Sequence, residues 1–281
     1  LYLIGWKLIM RKKLTVKDLY DLKGKKKLVS ILVKNVEEAK AAEKVGFELM
    51  ATGAPGKYLN PDNHPSFEEV VTIRNAAPGA FMHYGAGDTL YADLREVCSL
   101  AFKVLEYGFD MFYCHNRIEI IKGLYREGVP CLGHVGLVPS RRTWTGGYVA
   151  VGKTAKEAIQ VYEQCIKIQD AGAVAIEMEC VPYKVAEAIS KKVKPIVISM
   201  GSGSGCDVEF LFGCDILLTT SGHVPRHSKI YRNFLKEYER LQNEREVAFQ
   251  EFYDDVKSGA FPEKKHIIEI QDSELDIFLN N

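Results

Sequence analysis

Short apolar runs alternate with amphipathic helical segments along most of this 281-residue chain. About eight of the runs have the length and composition of buried strands, and nearly every one is followed by a segment with helical periodicity. Strands that alternate with helices form a parallel sheet, and eight such units close most naturally into a barrel. The sequence therefore predicts an α/β fold, the (β/α)8 TIM barrel, with an open doubly wound sheet as the alternative.

The predicted barrel has a helix before it and a helical extension after it. Thr15 and Asp18 have the spacing of a capping box and predict the first helix. The last strand is expected near residues 216–219, and the charged segment 236–245 is expected to be a solvated helix. No stretch resembles a linker, so residues 1–281 are expected to form one domain. Residues 1–10 are interpreted as an arm or a remnant of an upstream segment.

The balance of charges argues against two classes of partner. The chain has 37 basic and 37 acidic side chains, whereas nucleic acids and anionic membranes select clustered lysine and arginine. No stretch approaches the length of a membrane span. Seven scattered cysteines without C-x-x-C spacing indicate reduced thiols and a cytoplasmic location.

Two carboxylates at the end of one predicted strand are the first candidates for chemistry. Residues 173–182 read AVAIEMECVP, and strand alternation places Glu177 and Glu179 on one face. Strands covered by helices on both sides are normally apolar throughout, so paired acids at a carboxyl end suggest a catalytic role. A general base needs a pKa near neutrality, and like charges at i and i+2 would raise one of the two. The structural alternative is a carboxylate that caps the next helix.

Two further segments at predicted strand ends are candidates for substrate contact. His134 is flanked by glycines, and it either binds a ligand or is a core histidine that pairs with a neighbour. The loop Gly201-Ser202-Gly203 could hold a carboxylate or phosphate through its backbone N–H groups. A simple tight turn explains that loop equally well.

Several motifs recur together in one known family. They are GVPCLGHVGLVP at 128–139, GGY at 146–148, ECVP at 179–182, GSG at 201–203, GHVP at 222–225, Lys229, and KSGAFP at 257–262. In this order and spacing the chain resembles the ketopantoate hydroxymethyltransferases.

The resemblance implies a (β/α)8 barrel of the phosphoenolpyruvate mutase and isocitrate lyase superfamily that forms large homo-oligomers. Such enzymes transfer a hydroxymethyl group from methylenetetrahydrofolate to an α-keto acid with the help of Mg²⁺. The catalytic base of the family falls on Glu179, and its substrate-binding histidine falls on His134. A small keto acid or related carboxylate is therefore the expected partner.

The chain departs from the family at four functional positions. Two aspartates that hold the metal in the family correspond here to Ala54, followed by Pro55, and to Gly85. The lysine and glutamate of the fourth strand correspond to Tyr113 and His115. We expect Ala54, Pro55 and Tyr113 to contact the substrate, although no carboxylate is available at the two metal positions.

Two hypotheses follow for the metal. A relocated site could use His83, His115 and Glu177, with Asp88 as a further ligand, because strand parity turns the first three inward. Histidines beside carboxylates suit Zn²⁺, Mn²⁺ or Fe²⁺ better than Mg²⁺. The rival hypothesis is a metal-free pocket in which a histidine pairs with Glu177.

The expected function is an aldol-type one-carbon transfer to an α-keto acid, as in 3-methyl-2-oxobutanoate hydroxymethyltransferases. One alternative is a superfamily lyase or mutase that acts on another small carboxylate. Another is a catalytically inactive barrel that binds a small ligand.

Overall fold

The computed structural model describes residues 12–54, 65–87 and 92–280. Within them the chain forms two compact units, one that ends at Tyr231 and one that spans Arg232–Asn281. No helix in these ranges is both long enough and apolar enough to cross a membrane. The expected arm at residues 1–10 lies outside the described residues, and a single domain over 1–281 stays a prediction.

Eight parallel strands close the first unit into a barrel in their order along the chain, β1 to β8. This confirms the predicted (β/α)8 TIM barrel. The strands are β1 Leu28–Leu32, β2 Leu49–Ala54, β3 Phe81–Ala86, β4 Met111–His115, β5 Cys131–Gly136, β6 Ala175–Glu179, β7 Ile196–Met200 and β8 Val208–Phe212.

Helices precede the barrel and connect its strands. Thr15, Ser66 and Thr154 each begin a helix with a capping box, in which the side chain accepts a backbone N–H three residues on. The helices are α1 Val16–Leu22, α2 Val36–Val45, α3 Phe67–Asn75, α4 Leu94–Glu106, α5 Ile118–Arg126, α6 Arg142–Thr145, α7 Ala155–Asp170, α8 Tyr183–Ser190 and α9 Gly213–Leu217, with a 3-10 turn at Pro139–Arg141.

The second unit consists of helix α10 Phe234–Ser258, a 3-10 turn at Lys264–His266 and helix α11 Asp272–Leu279. It confirms the predicted C-terminal helical extension. Neither α10 nor α11 contains a buried residue.

The core has two layers because every strand alternates between the barrel interior and the surrounding helices. A dense inner layer fills the amino-terminal half of the barrel. The members of this layer include Leu28, Leu49, Phe81, Met111, Leu132, Ile196 and Val208.

The prediction of the last strand was wrong. Residues 213–217 form α9 rather than a strand at 216–219, and β8 lies earlier, at Val208–Phe212. The charged Glu209 interrupts the apolar pattern of β8, but it points outward and forms an ion pair with Lys27 at 3.3 Å. Its neighbours Val208 and Phe210 point inward. β8 thus follows the alternation of a half-exposed strand, and a search for continuous apolar runs misses it.

Candidate active site

A small cavity of about 80 Å³ lies at the carboxyl ends of the strands. One side is polar and comes from four consecutive strands, β3 to β6. The opposite side is apolar and comes mainly from β1 and β8. The polar lining consists of His83, Tyr113, His115, His134, Glu177 and Glu179, and the apolar lining includes Leu32, Ala51, Pro139, Phe210 and Phe212.

Glu177 and Glu179 both point into this cavity from β6, as strand alternation predicted. They are 6% and 8% exposed. Burial raises the pKa of Glu177 to about 7; His134 opposes the rise, and the charge of Glu179 adds to it. The elevated pKa means that Glu177 is partly protonated near neutral pH.

His134 faces both carboxylates from the adjacent strand. Its Nε2 atom lies 3.3 Å from Oε2 of Glu179 and 3.9 Å from Oε1 of Glu177. Its Nδ1 atom lies 2.5 Å from the hydroxyl of Tyr113. Carboxylate oxygens accept hydrogen bonds, so the proton of a neutral imidazole belongs on Nε2, and the Tyr113 hydroxyl then donates to Nδ1. Tyr113 thereby orients the ring.

The other two histidines of the polar side have different surroundings. His115 donates from Nε2 to the carbonyl oxygen of Ala86 at 2.9 Å and has a left-handed backbone, with φ of 53°. His83 is 3% exposed, and its ring packs edge-on against Phe210. Burial lowers the pKa of His83 to about 4, so this ring is neutral at pH 7.

A close approach of two strands holds the end of β6 in place. Gly136 has φ of +87°, and a Cβ atom there would lie 2.1 Å from the carbonyl oxygen of Glu179. Directly after Glu179, Cys180 has φ of 52°, an unfavourable value for a residue with a side chain. The G-H-V-G and E-C-V-P motifs therefore fit together through backbone contacts that only glycine allows at position 136.

The glycine–serine loop lies beside the cavity and supports it from outside. The Ser202 hydroxyl donates to the carbonyl oxygen of Met178 at 2.8 Å and accepts the N–H of Val181 at 3.0 Å. A Cβ atom at Gly201 would lie 2.8 Å from the ring of His227. The loop after β7 is thus hydrogen-bonded to the end of β6 through Ser202. Substrate contact by Gly201 and Ser202 stays a prediction.

Some predicted residues lie at or beyond the limits of the described chain. Of the two positions considered for the metal, Gly85 is described and lines the cavity. Ala54 is the last residue of β2, and its side chain is not described. Pro55 and Asp88 lie outside the described residues, as does most of the loop from Gly53 to Pro65.

The donor set does not fit the Mg²⁺ site that the motifs imply. Mg²⁺ requires oxygen ligands in near-octahedral geometry, and neither alanine at position 54 nor glycine at position 85 supplies a side-chain oxygen. The described residues bring together a different group, in which one ligand atom each from His134, Glu177 and Glu179 lie within 4.8 Å of one another. The predicted set of His83, His115, Glu177 and Asp88 stays a prediction.

Sequence reasoning missed the apolar side of the cavity. Phe210 and Phe212 line it from β8, the strand that was placed too late in the chain. The alternation in the sequence VEFLF at residues 208–212 is the signal that would have located both aromatic rings.

The fold and the site together define a (β/α)8-barrel protein with acid–base side chains at the carboxyl ends of its strands. The chain belongs to the ketopantoate hydroxymethyltransferase family, because the model of that family matches residues 92–264, more than half of the chain. The match agrees with the resemblance that the motifs indicated.

Curated relatives extend the similarity over nearly the whole chain. The chain is 31% identical to 3-methyl-2-oxobutanoate hydroxymethyltransferase 2 of Aliivibrio fischeri, over 91% of this chain and 99% of that protein. It is 29% identical to 3-methyl-2-oxobutanoate hydroxymethyltransferase 1 of Methylibium petroleiphilum, over 96% of this chain and 94% of that protein.

Solved structures with low sequence identity share the fold. One is 2,3-dimethylmalate lyase, a member of the PEP mutase/isocitrate lyase superfamily, with a TM-score of 0.52 and 14% identity over 72% of this chain and 81% of that one. Another is oxaloacetate acetylhydrolase with the product oxalate, with a TM-score of 0.51 and 13% identity over 71% and 80% of the two chains.

Proposed function

We propose that this protein transfers a one-carbon unit to an α-keto acid, with 3-methyl-2-oxobutanoate as the acceptor and methylenetetrahydrofolate as the donor. Family membership and the names of the relatives support the choice of reaction. The observation that carries it is the buried Glu179 carboxylate, which faces His134 at 3.3 Å in the cavity at the strand ends.

The two-sided cavity suits a keto acid with a branched alkyl end. The apolar side, with Leu32, Phe210 and Phe212, would receive the methyl groups, and the polar side would receive the keto group. The C3 carbon lies between these two parts of the substrate, which directs its proton toward the carboxylates. Glu179 is the acid closer to His134, and we assign it as the general base.

The reaction begins when the Glu179 carboxylate removes the proton from C3 and an enolate forms. The Nε2–H of His134 donates to the keto oxygen as negative charge develops there. C3 then forms a bond with the methylene carbon of the donor, and both carbon–nitrogen bonds of that carbon break. Water supplies the hydroxyl oxygen, and its proton and the proton from C3 are taken up by the two donor nitrogens.

Exchange of the C3 proton tests the first step without the folate donor. In D₂O the wild-type protein should replace the C3 proton of 3-methyl-2-oxobutanoate with deuterium, which ¹H NMR follows directly. Glu179→Gln should slow this exchange by roughly 100-fold or more, because the amide cannot accept the proton.

Glu163→Gln is the matched control, since Glu163 is exposed on α7. Equal exchange by the wild type and Glu179→Gln would contradict the assignment of the base. Binding of keto acids without exchange of any of them would favour the inactive ligand-binding barrel instead.

Two further expectations accompany this proposal. Self-association is suggested by α10, which leaves Phe249, Phe252 and Val256 exposed, and light scattering of the purified protein would measure the molar mass. A cytoplasmic location is in keeping with seven free thiols.

A further inference from the structure

The charge of the cavity is unbalanced. Two buried carboxylates, Glu177 and Glu179, face it, and its described wall contains no lysine or arginine. A buried carboxylate is stable only when it is paired, protonated or bound to a metal ion. A cation in this cavity would therefore be favoured.

The spacing of the ligand atoms is close to what one metal ion requires. Ions such as Zn²⁺ bind nitrogen and carboxylate oxygen at about 2.0–2.2 Å, which keeps neighbouring ligand atoms roughly 3–4 Å apart. Nε2 of His134 already lies 3.3 Å and 3.9 Å from the nearest oxygens of Glu179 and Glu177. The ladder between β5 and β6 pairs His134 with Glu177, so the backbone fixes this spacing.

We propose that His134, Glu177 and Glu179 form a binding site for a divalent transition metal ion, with Zn²⁺ or Mn²⁺ as the best fit. One imidazole nitrogen with two carboxylates suits these ions better than Mg²⁺. The site lies on β5 and β6, whereas the positions of the family's aspartates lie on β2 and β3, at Ala54 and Gly85.

Tyr113 is the outer partner of this site. To bind a metal, Nε2 of His134 must carry a lone pair, so the ring proton moves to Nδ1 and is donated to the Tyr113 oxygen 2.5 Å away. The same hydrogen bond thus serves both states, and its direction reverses when the metal binds.

A second, independent feature of the cavity points to a ligand. His83 is 3% exposed and lines the same cavity, and its Nδ1 atom has no hydrogen-bond partner among the described residues. A buried nitrogen of this kind normally has a partner. A metal ion, or a water molecule bound to it, would supply one from within the cavity.

This inference goes beyond the proposed transfer and does not depend on it. Glu179 is both a proposed metal ligand and the proposed general base. A bound metal ion would therefore compete with the C3 proton for the same carboxylate. Added Zn²⁺ should therefore slow any C3 exchange in proportion to the fraction of protein that holds the ion. If the protein shows no exchange at all, the proposed function fails while metal binding is still measurable.

Metal titration without substrate tests the site. Chelator-treated full-length protein is titrated with Mn²⁺ and followed by the electron paramagnetic resonance of the free ion, and then with Zn²⁺ by calorimetry. We expect one ion per chain, displacement of Mn²⁺ by Zn²⁺, and no displacement by equimolar Mg²⁺. ¹⁴N coupling to bound Mn²⁺ should be present in the wild type and absent in His134→Gln.

Variants locate the ion. Glu177→Gln should weaken binding at least tenfold, and Tyr113→Phe by roughly 10–100-fold, as expected for an outer partner. Glu163→Gln should bind as the wild type does. Circular dichroism checks that each variant is folded, and His134→Gln serves as the second ligand variant if one of the others is not.

Two results would overturn the proposal. One is wild-type protein that binds no stoichiometric ion at micromolar concentration. The other is a stoichiometric ion whose affinity is the same in the wild type, Glu177→Gln and His134→Gln, since this would place it elsewhere on the chain.

Discussion

At the scale of single residues, the buried Glu177 makes the stability of the protein depend on pH. Its pKa in the folded protein is about 7, compared with 4.5 as the ordinary value. Between these values the folded state holds a proton that the unfolded chain has released, so stability falls as the pH rises across the window. Above pH 7 the ionised carboxylate costs roughly 3 kcal/mol.

Glu177→Gln removes this dependence on pH. In the presence of a chelator, the melting temperature of the variant relative to the wild type should rise as the pH is raised from 5 to 8. Differential scanning calorimetry at several pH values measures the trend, and Glu163→Gln should show none. A difference that is constant between pH 5 and 8 would mean that the folded-state pKa of Glu177 is not elevated.

Single residues were the part of the site that the sequence predicted best. The inward direction of His83, His115 and Glu177 follows from strand parity, and the cavity confirms it. Strand parity does not predict which neighbouring side chain each of these residues contacts. Nothing in the sequence indicates that the Tyr113 hydroxyl meets Nδ1 of His134, because that contact depends on the stagger between β4 and β5 at the register shift after Tyr113.

At the scale of elements, the site depends on how closely β5 approaches β6. The carbonyl oxygen of Glu179 accepts the N–H of Leu137 at 2.9 Å and lies where a side chain at Gly136 would have to be. Through this contact, the position of Glu179, the proposed general base, depends on the glycine at position 136.

Gly136→Ala should therefore be costly for both stability and activity. It combines a left-handed backbone with a backbone clash, and we expect a loss of about 2–4 kcal/mol in unfolding free energy and slower C3 exchange. Gly146→Ala is the matched control, because Gly146 has φ of +76° and nothing within 4 Å of the added methyl group. That variant should lose only about 1 kcal/mol, as urea denaturation would show. Equal losses of unfolding free energy in the two variants would mean that β5 and β6 can move apart to relieve the clash at no measurable cost in stability.

The elements themselves were predictable where local signals agree. The capping-box spacing of Thr15 and Asp18 predicted the start of α1, and the structure confirms it. The prediction of β8 was wrong because the outer face of this strand is partly exposed and carries charge. Continuous hydrophobicity is therefore the wrong criterion for locating it. Closure of the barrel depends on that strand through its pairing with β1.

At the scale of the whole molecule, the cavity belongs entirely to the first unit. Among the residues that the structure describes, those that line the cavity all precede residue 213, and the buried ones all precede residue 215. The second unit, Arg232–Asn281, has no buried residue of its own in α10 or α11. The described hydrophobic core therefore consists of residues of the first unit.

Removal of residues 232–281 should leave a folded barrel. Because none of the described residues of this segment is buried, we expect the melting temperature to change by less than about 5 °C, which corresponds to one or two kcal/mol in a domain of this size. Zn²⁺ binding should persist, since all three proposed ligands precede residue 180. If α10 mediates self-association through its exposed aromatic residues, light scattering should show a smaller molar mass for the shortened chain than for the full one. An unfolded product would contradict the division into units, because it would show that the barrel requires the C-terminal helices of its own or another copy.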